Sequence, residues 1–225
     1  MAPNNPAILT MKMCRLSWPV FDYKVAVTRN QKSKFPRPPE EVTPEFNMLL
    51  EQHHLDQYVQ YILNEYFPFV LAQGQAGEKG GLDPKEVDRL TKLIESGDWD
   101  AQPPYIPIKT VPDKTKELAP EAVAMLKVKG NRGADIVQMA RVRDEQELAV
   151  PDPKVLTFPI LRPIHETVHN LYGGAYVAAT LNHYAYISGK LPGFSASAST
   201  CVFMENGDRF GGGIDVDEDA IFLDD

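Results

Sequence analysis

Cysteine is nearly missing from this chain of 225 residues: there are two, Cys14 and Cys201, and no CxxC pair. That excludes a disulfide framework and a thiolate zinc site, and it fits two free thiols in a reducing compartment. No run of 18 apolar residues occurs, so no transmembrane helix is expected. Met1–Pro6 carries no basic segment followed by an apolar one, so no signal peptide is expected and the default address is cytoplasmic. Cations are also in deficit, 23 Lys and Arg against 31 Asp and Glu, for a net charge of −8. Nucleic-acid affinity rests on neutralising phosphates with clustered Lys and Arg, so this balance predicts no nucleic-acid partner.

What is plentiful is proline, with 19 residues in clusters such as Phe35-Pro36-Arg37-Pro38-Pro39, Pro103-Pro104-Tyr105-Ile106-Pro107 and Pro151-Asp152-Pro153. These cannot be helix interiors and read as extended connectors. Residues 1–42 are therefore expected to form an extended Pro-rich, basic arm with at most one strand, at Tyr23–Val27. Residues 43–210 form a single domain, since the length suits one core. Residues 211–225 form an acidic, flexible tail.

Within the domain the reading is mainly α. Thr43-Pro44-Glu45 has the order of an N-cap, a first-turn proline and an acid. Phe46, Leu49, Leu50, Val59, Ile62, Leu63 and Tyr66 then recur at helical spacing up to Pro68. Asp83-Pro84-Lys85-Glu86 is a capping box opening a helix that buries Val87, Leu90 and Ile94 and stops at Gly97. Two more helices are expected at Pro120–Val128 and Ala134–Leu148, with Gly130–Gly133 as the turn between them. Pro163 opens another that runs to Tyr172, breaks at Gly173-Gly174 and resumes over Ala175–Ser188. Thr200–Met204 and Arg209-Phe210, flanking Asn206-Gly207, predict one short C-terminal β-hairpin.

His165-Glu166-Thr167-Val168-His169 spells H-E-x-x-H. Residues four apart share a helix face, so His165 and His169 can hold one metal ion while Glu166 acts as base on a metal-bound water. Chance produces such a match about 0.007 times in a chain of this composition, a false-positive risk that any short motif carries. Leu161, Ile164, Val168 and Leu171 form an apolar stripe with both histidines at its edge. A catalytic zinc needs a third protein ligand. If Gly173-Gly174 makes a helical hairpin, His183 returns beside His165; Glu205 is a second candidate.

These five residues resemble the zincin metallopeptidases. The resemblance implies a zinc cofactor and a hydrolase in which the metal lowers the pKa of its water and polarises a carbonyl. The extended metzincin pattern is not met, because Tyr172 and Ala175 stand where it has Gly and His. His165-x-x-x-His169-Asn170-x-x-Gly173-Gly174 also resembles the first part of the second copper helix of tyrosinases, but that family's later elements do not follow. His53-His54 read as surface residues, since adjacent side chains on a helix point about 100° apart. No G-x-S-x-G elbow supports a serine hydrolase.

Two functional classes follow. The more concrete is a zinc-dependent hydrolase with His165, His169 and His183 as ligands and Glu166 as the catalytic base. The other is a non-catalytic binding or assembly protein, capsid- or scaffold-like. It would meet partners or further copies through residues 1–42 and 211–225, and its histidines would be incidental.

Overall fold

In the computed structural model, residues 5–100, 105–142, 160–163 and 171–210 are described. The chain runs β1 (Ile8–Val20), α1 (Tyr23–Gln31), β2 (Glu45–Leu50), α2 (Gln52–Tyr61), α3 (Phe67–Gln75), α4 (Pro84–Ser96), β3 (Ile108–Lys109) and α5 (Asp113–Leu118). It continues with β4 (Ala124–Lys129), β5 (Val137–Val142), β6 (Ile160–Pro163), β7 (Tyr176–Ser188), β8 (Leu191–Ser197) and β9 (Thr200–Glu205). The expectation of a mainly α fold is therefore corrected to a mixed α and β one. No helix among the described residues is long and apolar enough to cross a membrane.

Five strands close on themselves. β1 pairs antiparallel with β2, β2 with β4, β4 lies parallel to β8, β8 pairs with β7, and β7 returns to β1. The ring of pairings closes these five strands into a small barrel. β9 continues the line of β8 along β7, and β5 and β6 extend it as β9–β5–β6.

Strand periodicity fills the barrel. The opposed pairs Phe46/Val128, Met48/Leu126 and Leu50/Ala124 are all buried, while Asn47/Lys127 and Glu45/Lys129 face outward. On β7, Val177, Ala179, Leu181, His183 and Ala185 are buried while Thr180, Asn182 and Tyr184 are exposed. The apolar side of α2–α3 closes one part of the core with Tyr58, Tyr61, Ile62, Tyr66, Phe67 and Val70.

Several local expectations change. The N-terminal arm contains a 13-residue barrel strand, β1, and Tyr23–Val27 lies in α1, capped by the Asp22 carboxylate on the Val25 N–H at 3.0 Å. The helix read from Thr43 starts only at Gln52, because Glu45–Leu50 is claimed by the barrel. Pro68 does not end it. One π turn, Ile62–Tyr66, widens the ladder just before Pro68, where a missing N–H and a bulky ring would break a regular turn. Where helices were expected at Pro120–Val128 and Ala175–Ser188 the chain forms strands β4 and β7, and within the described part of Ala134–Leu148 it forms strand β5 at Val137–Val142. Pro163 ends β6, the last strand in the pairing order, where a residue without an N–H is tolerated. The C-terminal hairpin is β7–β8, turning at Gly189-Lys190 with Gly189 at φ 66°; Thr200–Glu205 is a strand, but Arg209-Phe210 is not its partner. The α4 reading holds at both ends, where Asp83 and Glu86 form the reciprocal box and Gly97 ends the helix at φ 72°, and for buried Leu90 and Ile94, while Val87 is half-buried.

Candidate functional site

The outer face of the barrel at β4 and β8 carries a cleft of about 160 Å³ lined by Tyr105, Lys109, Lys127, Lys129, Tyr186 and Ser195. Its cations come from alternation: Lys127 and Lys129 are outward positions on β4, and Lys109 stands on the neighbouring β3 across from Met125. Lys109 donates to the Trp99 carbonyl at 3.2 Å and lies 4.0 Å from Asp100, while Lys127 pairs with Glu45 at 2.9 Å. Lys129 has no ion-pair partner among the described residues. Its ammonium is held below the usual lysine range, first by burial and then by Lys127, with Arg37 and Arg132 adding to it and Glu45 opposing. Burial likewise lowers Lys109, with Lys127 adding to it and Asp100 opposing. Three ammonium groups thus share one cleft at a mutual cost that a bound anion would relieve.

Two tyrosines border them. Tyr186 on β7 lies opposite Gly193 on β8, where an added Cβ would meet the Tyr186 ring at 2.9 Å. Glycine is what lets that ring lie over the strand. Tyr105, 40% exposed, sits on the other side of Gly193, and its carbonyl accepts from the Phe194 N–H at 3.0 Å. The Tyr184 ring is 6.1 Å from that of Tyr186 and faces solvent.

A second groove, about 520 Å³, adjoins the first at Lys127. Its walls are Trp18 at the end of β1, Arg29 and Asn30 on α1, Phe35 and Arg37 in the following loop, and Glu45 and Asn47 on β2. Phe35 is 80% exposed, with the Lys34 ammonium 5.5 Å from its ring centroid. The two grooves together make a track of cations with aromatic rings between them.

The residues expected to bind metal are distributed differently. His165, Glu166 and His169 lie outside the described residues. His183 is on strand β7, so the helical hairpin that was to carry it to His165 does not form. It is 3% exposed, and both ring nitrogens are engaged: Nε2 with the Tyr58 hydroxyl at 2.9 Å, Nδ1 with the Ala7 carbonyl at 3.1 Å and the Tyr61 hydroxyl at 3.2 Å. Burial drives its pKa down to about 4. Glu205 ends β9 opposite Tyr176, seven residues along β7 from His183, or about 23 Å at strand rise. His54 is buried, with Nε2 donating to the Lys12 carbonyl at 3.0 Å, and only His53 is on the surface. Among the described residues no group of three or more His, Cys, Asp or Glu is placed to hold a metal ion.

The pairing order β1–β2–β4–β8–β7 and back to β1, with β4 parallel to β8, places the β4–β8 cleft on the outside of a closed five-stranded barrel. No protein-family profile matches the chain, and no curated protein matches it. Solved structures do. The single-stranded DNA-binding protein from bacteriophage Enc34 superposes with a TM-score of 0.51 at 13% identity, over 96% of this chain and 90% of that one. The same phage protein in complex with ssDNA matches with a TM-score of 0.51 at 12% identity, over 91% and 90%. Its C-terminal truncation matches with a TM-score of 0.51 at 12% identity, over 91% and 89%.

These findings correct two expectations. The zinc-dependent hydrolase gives way, since the fold is shared with a protein named for binding single-stranded DNA and His183 is committed to the core. The exclusion of nucleic acid also gives way, because it rested on net charge, and net charge does not report clustering. Six of the acidic residues (Asp215, Asp217, Glu218, Asp219, Asp224 and Asp225) fall in 211–225, so the first 210 residues are nearly neutral. Within them Lys24, Arg29, Lys32, Lys34 and Arg37 form a run without one acid. That run, with Phe35 inside it, was the legible signal. The lysines at 109, 127 and 129 were not legible, since only the β3–β4 pairing brings them together.

Proposed function

We propose that this protein is a non-catalytic single-stranded DNA-binding protein, and that the strand lies along the β4–β8 cleft and the adjoining β1–α1 groove. The observation that carries the reading is the convergence of Lys109, Lys127 and Lys129 with Tyr105 and Tyr186 on the outer face of a closed five-stranded barrel. Sequence-independent binding of single strands needs this combination: cations to track phosphates, and ring faces on which bases stack. Arg29 and Arg37 continue the cationic line into the second groove. The likeness in fold to the phage protein, solved also in complex with ssDNA, supports the same reading.

The test is fluorescence anisotropy with a labelled oligothymidylate of about 16 nucleotides, the upper end of the site size for one such barrel. Binding is expected to weaken steeply with salt. Lys127→Ala with Lys129→Ala should flatten the slope of log K against log salt by about 0.7 for each phosphate that is no longer neutralised. Equal affinity for a duplex of the same length, or a slope unmoved by both substitutions, would overturn the proposal.

A further inference from the structure

Trp18 is 53% exposed and lines the groove beside Arg29, Arg37 and Lys127. Its backbone has φ 44°, a left-handed conformation that is an outlier for a bulky residue with a Cβ. The cause is a bulge in β1: Ser17 opposes Asn47 and Val20 opposes Glu45, so β1 carries one residue more than β2 across that interval. A regular strand would keep the pairing and leave the backbone relaxed. The bulge instead re-aims one side chain, and the side chain it re-aims is the largest apolar one available.

The ring is also held. The Trp18 indole N–H donates to the Thr115 hydroxyl at 3.3 Å, and Thr115 is 1% exposed. Its polar edge is thereby satisfied by α5 while the groove remains open beside the ring. The other tryptophan, Trp99, packs against the core and donates to the Ile94 carbonyl at 3.1 Å. Folding stability gives no reason to expose an indole, since burying it would be the favourable choice. Exposure, an unusual backbone, a fixed edge and a cationic surround describe a platform for a flat, anionically tethered ring.

We propose that Trp18 is a base-stacking platform at the β1–α1 end of the track, and that it selects single strands over duplex. This rests on the single-strand reading above. A duplex keeps its bases stacked on each other and offers no free face, whereas an unpaired nucleotide beside Arg29, Arg37 and Lys127 has one to offer.

The experiment separates the two claims. In Trp99→Phe the remaining emission comes from Trp18; titration with unlabelled oligothymidylate is expected to quench it in step with the anisotropy of a labelled copy, and duplex is expected to leave it unchanged. Trp18→Ala is expected to weaken single-strand affinity about 10- to 100-fold with the salt slope unchanged, and Trp18→Phe to retain most of the affinity. Circular dichroism confirms that each variant folds. If anisotropy shows tight binding while Trp18 emission stays constant, or Trp18→Ala binds as tightly as the parent, the platform is refuted and the track stands. If the parent chain binds no oligonucleotide, the underlying reading falls, and the platform with it.

Discussion

His183 couples the stability of the barrel to pH in a way that can be worked from its hydrogen bonds. The Ala7 carbonyl can only accept, so Nδ1 carries the proton and Nε2 accepts from the Tyr58 hydroxyl at 2.9 Å. A second proton on Nε2 would face a hydroxyl already oriented to donate, inside a site that is 3% exposed. The folded pKa is about 4, below the ordinary 6.5, because burial penalises the cation. The unfolded chain therefore takes up the proton first. Stability from this residue is complete above about pH 6.5, falls by about 2 kcal/mol at pH 5 and about 3 kcal/mol at pH 4, then levels off. Urea unfolding at steps from pH 7 to pH 4 measures it, with His183→Gln as the reference. Carboxylates titrate alike in both proteins, so the difference curve isolates the imidazole. His183→Gln is expected to be less stable at neutral pH by about 2 kcal/mol, from imperfect replacement of the buried bonds. The gap is then expected to close on acidification. Parallel curves would refute the assignment of His183 as a neutral, buried bridge between β7, α2 and the segment at Ala7.

Further outcomes follow from the same structure. Because burial and then cationic neighbours lower the Lys129 pKa, a bound phosphate should raise it; affinity for oligothymidylate is then full at neutral pH and declines as pH rises through the free value, and Lys129→Gln should shrink that decline to the part carried by Lys109. Gly174 has φ 106° and an added Cβ there would run into the Asp208 carbonyl, so Gly174→Ala should destabilise the fold by about 3 kcal/mol in urea unfolding. Arg15 is buried, pairs with Glu121 at 2.7 Å, donates to the Asp208 carbonyl at 3.1 Å and lies 4.5 Å from the Phe210 ring centroid. Arg15→Lys should therefore cost about 2 kcal/mol and speed proteolysis near residue 208, since an ammonium cannot replace the planar fork. A proteolytic lifetime equal to the parent's would show that Arg15 does not hold the segment.

The correct and incorrect element readings divide by how local their determinants are. The α4 helix was legible because its start and stop depend on residues within reach of one turn, Asp83, Pro84 and Glu86 at one end and Gly97 at the other. The middle of the long helix was legible from Val59, Ile62, Leu63 and Tyr66 for the same reason. The barrel strands were not. Tyr176–Ser188 contains Ala, Tyr, Leu and Ile at positions that satisfy a period of 3.6 as well as a period of 2, and Phe46, Leu49 and Leu50 do the same at the start of β2. What resolves the ambiguity is pairing with β1, some 170 residues away in sequence at Thr10 and Thr180. Once that pairing exists, propensity along the segment is overridden by burial and ladder hydrogen bonds.

The site followed the same division. The amino-acid sequence by itself determined the chemistry on offer: the acid-free basic run around Phe35, the lysines at 109, 127 and 129, an indole at 18 and an imidazole at 183. It also determined the caps and turns, which act over a few residues. Only the tertiary structure decided which of these groups meet. Closure of β1 on β7 turned His183 inward onto Tyr58 and Tyr61, pairing of β3 with β4 gathered the lysines on one outer face, and the bulge in β1 turned Trp18 toward the groove. The reason is physical: side-chain direction in a strand alternates with every residue, so a site on a barrel is set by register. Register depends on pairing between segments far apart in the chain.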